Sequence, residues 1–376
     1  MTRALSCVVL AAGEGTRMRS TRPKPLHLLC GRAMLLHILD TMAELSMERA
    51  VVVVGHGAER VAKKLIDDGP VRLPIDFVEQ HVQRGTGDAL MVALTAFPDD
   101  DLEDDRADGE SDGDLIVVPG DAPLLRSATL ARLVEAHRQA DAAATLLSAR
   151  VPDPRGYGRV VRGRGGGIRR IVEEVEASPE EVAIDEVATS IYCFRRSVLA
   201  PALRRLTPEN TQGEYYLTDV VQVLADAGYP VTSLVAEDPM EAVGINDRAQ
   251  LAEAEAELRR RINHRWLSLG VTMLDPDRTY VETGVNLAPD VTLFPGTLLQ
   301  GHTFVAEGAE IGPDTRLVDC VVGAGAVVAH SVGIDAEIGA GARVGPFAHL
   351  VPGTVVPAGT VVAPGPTSGG RPGPLA

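Results

Sequence analysis

The sequence predicts an open α/β sandwich with a mostly parallel sheet up to about residue 246, followed by a β-solenoid. Three observations carry this. Short apolar runs alternate with helix-like segments through the first part, one long Ala/Glu/Leu/Arg-rich stretch follows, and aliphatic residues then recur at a step of six.

The strand-like runs are SCVVLAA (6–12), RAVVVVG (49–55), PIDFVEQ (74–80), DLIVVPGD (114–121), AATLLSARV (143–151) and SIYCF (190–194). Between several of them lie AMLLHILDTMAEL (33–45) and SATLARLVEAHRQA (127–140), whose apolar residues have helical spacing. Continuous apolar strands separated by helices imply a sheet covered on both faces. The acidic block 98–114 lacks the spacing of a calcium loop and is expected to be a solvated insertion. Residues 247–270 read as one long connecting helix. Beyond it, Leu287, Leu293, Leu299, Val305, Ile311 and Leu317 keep the six-residue step, and after an irregular patch Ile338, Val344, Leu350, Val356 and Val362 resume it. That period fits a triangular coil with one inward aliphatic per face, and about four coils of ~18 residues. The domains are therefore expected at 1–246, 247–270 and 271–364, with a disordered Pro/Gly/Ser tail at 365–376.

With 376 residues, 45% hydrophobic and 23% charged, the composition is that of a soluble globular protein. A net charge of −16 and 3% aromatic residues argue against a nucleic-acid partner, since neither a basic surface nor a stacking platform is available. No apolar stretch approaches the roughly 18 residues of a membrane span, so no membrane partner is expected. Cys7, Cys30, Cys193 and Cys320 are far apart in mostly apolar surroundings and read as buried thiols of a cytoplasmic protein.

Against the acidic background, VVLAAGEGTRMRSTRPKPL (8–26) collects Arg17, Arg19, Arg22 and Lys24 behind Gly13 and Gly15. Glycines straight after a buried strand let backbone N–H groups approach a ligand. The spacing matches neither G-x-G-x-x-G nor G-x-x-x-x-G-K-[ST]. A strand, a glycine turn, and Arg17 and Lys24 close behind suit a polyphosphate whose charge rises as a P–O bond forms and breaks.

The string LAAGEGTRMRSTRPKPLHLLCGRAMLLHIL (10–39) closely resembles the opening of bacterial sugar-1-phosphate nucleotidylyltransferases, and most of all their bifunctional N-acetylglucosamine-1-phosphate uridylyltransferase/glucosamine-1-phosphate acetyltransferase branch. The likeness continues through EQHVQRGTGDAL (79–90), VVPGDAPLL (117–125), GYGRVVR (156–162), IVEE (171–174), TQGEYYLTDVV (211–221) and VGINDRAQL (243–251), and into the solenoid. It implies a Rossmann-like nucleotidyltransferase domain followed by a short left-handed parallel β-helix of hexapeptide repeats. By the resemblance, the Leu10-Ala11-Ala12-Gly13 backbone and the Gln80 amide hold the base, with Gly85 and Thr86 nearby. An amide can pair with the donor and acceptor edge of uracil in both directions. The resemblance makes Asp121 and Asn246 ligands of Mg2+, although Asn246 could equally cap the helix that follows, and it puts Gly158 and Glu173 at the sugar. Arg17 and Lys24 would neutralise the triphosphate and the transition state while a sugar 1-phosphate oxygen attacks the α-phosphorus and pyrophosphate departs.

The sequence departs from the pattern in three places. Ala188-Thr189-Ser190 stands where the family has Asn-Thr-Gly, Pro119 replaces an aromatic residue, and Val351 replaces an arginine before Pro-Gly. The first two bear on the acceptor, since specificity rests on polar contacts. UTP and N-acetylglucosamine 1-phosphate are the expected substrates, with another sugar or cyclitol phosphate, or another nucleotide, as the alternative and a non-catalytic nucleotide-sugar-binding scaffold as the rival class. The third departure, with the absence of the family's later acetyltransferase motifs and with His349 read as a surface residue, leads to the expectation of no acetyl transfer. By analogy with the family, the shortened solenoid could serve to build a homotrimer.

Overall fold

The structure is a computed structural model that describes residues 3–70, 72–97, 113–163, 166–362 and 364–367. The acidic segment 98–112 and residues 368–376, the greater part of the expected tail, lie outside the described residues. The chain divides into two compact units, Met1–His27 with Ala33–Arg248, and Leu28–Arg32 with Ala249–Ala376.

The elements run β1 (Leu5–Leu10), β2 (Leu28–Leu29), β3 (Arg32–Ala33), α1 (Met34–Ala43), β4 (Ala50–Val54), α2 (Ala58–Asp68), β5 (Ile75–Glu79) and α3 (Thr86–Leu94). Then come β6 (Asp114–Pro119), α4 (Ser127–Gln139), β7 (Ala144–Arg150), β8 (Arg159–Arg162), β9 (Ile168–Val172), α5 (Pro179–Val182), β10 (Glu186–Arg195), α6 (Arg196–Leu203), α7 (Asp219–Asp226) and β11 (Val231–Val235). The first unit's sheet has the order β11-β7-β10-β6-β1-β4-β5, with β8 and β9 attached beside β10.

β1 runs parallel to β4 and β6, and β4 to β5, so the half of the sheet that carries the glycine turn is parallel as expected. β10 is the exception, antiparallel to both β6 and β7. Its residues are buried on both faces, and a doubly covered strand reads as a continuous apolar run whichever way it points. Side chains alternate between two cores. Val8, Val51, Val117, Tyr192 and Phe194 pack on one face with Leu90 of α3 and Val220 of α7. Cys7, Val52, Ile116 and Ile191 pack on the other with Leu39 of α1 and Leu133 of α4. The chain leaves β1 for β4 on one side and returns to β6 on the other, which makes the carboxyl ends of β1 and β6 a topological switch point.

Asp114 corrects one expectation. The acidic block was read as solvated to its end, yet Asp114 is 1% exposed at the start of β6. It accepts a hydrogen bond from Arg138 Nε at 2.6 Å and pairs with Arg3 Nε at 3.3 Å.

In the second unit α8 (Arg248–Ser268) spans most of the stretch read as a connecting helix. After it, short strands stack in parallel into two sheets of six and one of five, the three faces of a β-helix. Ten of the eleven aliphatic residues picked out by the six-residue step are buried; Val362 is partly buried against the same core. The irregular patch has a structural form. Leu298 pairs with Arg316, eighteen residues on, but Arg316 pairs with Val332, only sixteen on, and by Glu337 with Val355 the step is eighteen again. In the short coil the inward position opposite Leu317 is Gly333. A Cβ there would come within 3.0 Å of Leu317 Cδ2 and 3.3 Å of Cys320 Sγ, so those side chains already fill the space. Gly365–Thr367, where the tail was expected to begin, still pairs with Ala348–Leu350. All four cysteines are buried and free, and burial pushes the Cys7 thiol up to about 12.

Candidate active site

A cleft of about 510 Å³ opens at the carboxyl ends of β1, β5 and β6 in the first unit. Leu10, Ala11, Ala12 and Gly13 form one stretch of its wall. The wall is stitched by the sheet itself, with Gly120 N donating to Leu10 O at 2.8 Å and Ala11 N to Val53 O at 2.9 Å. A Cβ on Gly13 would meet nothing within 4 Å, so this backbone faces open space. Gly15 serves differently. Its φ of +64° is left-handed, and a Cβ there would lie 2.6 Å from Lys24 Cβ, so glycine lets the Lys24 chain cross the turn.

Of the four cations read from the sequence, Arg17 and Lys24 line the cleft and Arg19 and Arg22 do not. Lys24 Nζ donates to Asp121 Oδ2 and, at 3.0 Å, to Asn246 Oδ1, which also accepts from Arg17 Nη2 at 3.0 Å. These four residues come from three distant segments. Asp121 follows β6, and its carbonyl accepts from Ile245 N at 2.9 Å, which holds the 244–246 loop ahead of the Arg248–Ser268 helix against it. Asn246 therefore turns its side-chain oxygen to the cations. Asp121 and Asn246 thus present two hard oxygen donors converging on one positive charge. Among the described residues no cluster of three His, Cys, Asp or Glu could hold a metal by itself. A cation here would need phosphate and water to complete its shell, as Mg2+ on a nucleotide does.

Gln80 is 5% exposed at the end of β5. Its Nε2 donates to Gly85 O at 3.2 Å and to Asp88 Oδ2 at 2.7 Å, so Asp88 in the first turn of α3 fixes which way the amide points. Gly85 has φ +103°, and a Cβ would lie 2.6 Å from Tyr215 O. Thr86 Oγ1 accepts from Leu217 N at 3.1 Å, and Gly87 N donates to Tyr215 O at 2.8 Å, which locks the 215–217 segment over the start of α3.

Glu173 lines the opposite part of the cleft and accepts from Thr218 Oγ1 at 2.9 Å. Burial pushes its carboxyl above the ordinary range, the Thr218 hydroxyl pulls it back, and the charge of Asp219 adds to the rise. Gly158 is absent from the cleft wall. It lies behind Glu173, where a Cβ would sit 3.6 Å from the carboxylate oxygens, and its carbonyl accepts from Ala188 N at 2.8 Å. Ala188, Thr189, Ser190 and Pro119 all line the cleft. Ser190 has φ +59°, within a bulge of β10, which explains why a glycine suits that position in the family pattern.

Sequence reasoning missed Gln83, Tyr157, Tyr192, Tyr216 and Thr218, all of which line the cleft. Gln83 Nε2 donates to Ala12 O at 2.7 Å. Four of the five lie inside the quoted motifs, so the signal was present without an assigned role. Tyr192 lay in the SIYCF run, where it passed for core.

Residues 6–270 match the model of the nucleotidyl transferase family. The chain belongs to that family. It is 46% identical over 333 residues to the bifunctional protein GlmU of Desulfitobacterium hafniense, covering 89% of this chain and 69% of the relative. Identity to the bifunctional protein GlmU of Thermobifida fusca is 44% over 337 residues, 90% of this chain and 68% of that one. Against the protein of the same name from a Geobacillus species it is 40% over 331 residues. The protein is an enzyme, a sugar-1-phosphate nucleotidyltransferase similar to GlmU. Among the described residues no helix is long and apolar enough to cross a membrane.

Proposed function

We propose that the protein condenses UTP with N-acetylglucosamine 1-phosphate to give UDP-N-acetylglucosamine and pyrophosphate. The observation that carries this is the convergence of Arg17, Lys24, Asp121 and Asn246 at the switch point of the sheet, beside the Gln80 wall. Strand ends at a switch point are where α/β sheets bind nucleotides.

On this reading Leu10, Ala11, Ala12 and Gly13, with Gln80, Gly85 and Thr86, hold the base. Because the Gln80 nitrogen is already committed to Gly85 and Asp88, its oxygen is the group offered to a ligand, an acceptor for an N–H such as that of uracil. Pairing in both directions, as the sequence reading had it, would require Asp88 to release the amide. Arg17 and Lys24 then neutralise phosphate oxygens whose charge grows as the P–O bond to pyrophosphate breaks. Asp121 and Asn246 fit as ligands of Mg2+, and when bound that ion supplies charge neutralisation across the reacting phosphates. Glu173, fixed by Thr218, accepts from a hydroxyl of the sugar, with Gly158 supporting it from behind. A phosphate monoester dianion is already a competent nucleophile, so the chain needs no general base.

Ala188 favours a second reading, the same chemistry on a different acceptor. Its methyl offers no hydrogen bond where the family pattern has an amide. The acetyl transfer that the sequence resemblance implies for the bifunctional branch is not expected of this chain, because Val351 offers no cation where an arginine is expected. The cytoplasm is the compartment this reading implies, in keeping with four buried thiols. A homotrimer built through the β-helix completes it, and light scattering tests that state.

The deciding experiment is pyrophosphate release with Mg2+ across four nucleoside triphosphates and a panel of sugar 1-phosphates. Release with UTP and N-acetylglucosamine 1-phosphate is the expected result. Release with another pair supports the second reading, and none with any pair rejects both.

A further inference from the structure

Tyr192 has no part in the chemistry above, and its setting is costly for a tyrosine. It is fully buried on β10, its ring stacked on Phe194 with centroids 5.2 Å apart, yet its hydroxyl has no hydrogen-bond partner. A buried hydroxyl left unpaired is destabilising, because it has given up water without replacement. The same side chain lines the cleft.

The strand register places Tyr192 next to Ala188 on one face of β10. Ala188 pairs with Ser148 and Tyr192 with Leu146, because the bulge between Ala188 and Ile191 takes extra residues out of the ladder. On the neighbouring strand these partners are two apart, so Ala188 and Tyr192 are successive positions on one face, and both belong to the same apolar cluster. Ala188 presents only a methyl. Thr189, between them, has spent its hydroxyl on Leu147 O at 2.6 Å. This stretch of β10 therefore brings two uncommitted hydroxyls to the cleft lining, the exposed one of Ser190, which water can satisfy, and the buried one of Tyr192, which has no such substitute. Burial, then the negative charges of Glu173 and Asp219, keeps the phenol protonated and able to donate.

We propose that the Tyr192 hydroxyl is a specificity-determining group that donates a hydrogen bond to an oxygen substituent of the sugar 1-phosphate, beside the methyl of Ala188. This rests on the reading that the Glu173 side of the cleft takes the sugar. It gives the acceptor a polar contact from the same face of β10 on which the expected amide is missing.

The test is Tyr192→Phe in the full chain, with steady-state kinetics in both substrates and thermal melting without ligand. The KM for the sugar 1-phosphate rises about tenfold, the loss of one good hydrogen bond. The KM for the nucleotide stays within about twofold, and the melting temperature without ligand is equal or higher, since a Phe leaves no hydroxyl unpaired. A second readout is the melting shift produced by saturating UDP-sugar, which shrinks in the variant. An unchanged sugar KM in an active variant overturns the proposal. So does a rise in both KM values with a lower melting temperature, which marks the hydroxyl as structural. If the wild type turns over no sugar 1-phosphate at all, the reading of the cleft itself fails and the proposal with it.

Discussion

In the coils of the β-helix the buried threonines Thr297, Thr303 and Thr315 each donate to a main-chain carbonyl, at 2.7, 2.8 and 3.1 Å. Around the cleft of the first unit, Tyr192 and Tyr216 keep hydroxyls that are buried and unpaired, and Glu173 holds a carboxyl above its ordinary range. Among the described residues, no side chain from 271 to 362 has such an orphaned atom. Buried polar groups are satisfied in the coils, which spend their left-handed residues, such as Asp290, Asp314 and Phe347, on turns, and are left open at the cleft. Open buried groups that line a cleft are positions a ligand can complete. The solenoid is organised for stability and the cleft for binding, so substitutions in the two regions should separate the two properties.

The largest separation is expected at Asp121. Asp121→Ala removes one of two oxygens converging on Lys24 and lowers kcat by about 10³-fold, while far-ultraviolet circular dichroism and melting stay near wild type. A large loss of stability would break the comparison. Leu317→Ala in the β-helix should do the reverse. Its side chain is fully buried against the short coil, so denaturant unfolding of the second unit loses about 3 kcal/mol while both KM values hold.

Asp114 sharpens the comparison, because it is a buried carboxylate of the first unit held by ion pairs away from the cleft, Arg138 at one oxygen and Arg3 at the other. Burial raises its carboxyl, but the close imidazole of His137, the hydrogen bond from Arg138 and the charge of Arg3 outweigh this, and the net effect lies below the ordinary value. Its contribution is therefore fully present above the ordinary carboxylate range and is lost as pH falls through the depressed value. Asp114→Asn should flatten the acid limb of a stability-against-pH curve and leave kcat alone. Glu173→Gln gives the smallest effect. The raised carboxyl means that the ionised group costs stability once pH exceeds its folded value. Removing the charge should raise the melting temperature at neutral pH by about 2 °C while raising the KM for the acceptor. A lower melting temperature would mean that Thr218 stabilises the ionised Glu173 more than burial opposes it.

The solenoid was the more legible region because its rule is repetitive. One aliphatic per face recurs, and the structure buries the residues that the step picks out. The step failed where the coil shortens, since Gly333 has no side chain to count and Leu317 and Cys320 fill its place from neighbouring positions. In the first unit β1, β4, β5, β6, β7 and the second half of β10 were legible as apolar runs, the short β8, β9 and β11 were not, and the direction of β10 was hidden because burial on both faces erases that information. Arg17, Lys24, Asp121 and Asn246 could be named from motifs, and they meet in one cleft. The orientation of Gln80 depends on Asp88, which the motif contained but no spacing rule links to it. Gly158 was placed at the sugar by its motif, and the structure sets it against Glu173, whose carboxylate lines the cleft. Tyr192 was hidden by its strand, where an aromatic residue in an apolar run reads as core.

The central claim is that this cleft joins a nucleotide to a sugar phosphate. The most direct measurement is phosphorus-31 nuclear magnetic resonance of purified wild-type protein with Mg2+, UTP and N-acetylglucosamine 1-phosphate, run beside Asp121→Ala. The account predicts the paired resonances of a UDP-sugar growing in step with pyrophosphate in the wild type, with almost none in the variant. Pyrophosphate without a UDP-sugar, no turnover in the wild type, or equal rates in the two proteins would contradict it.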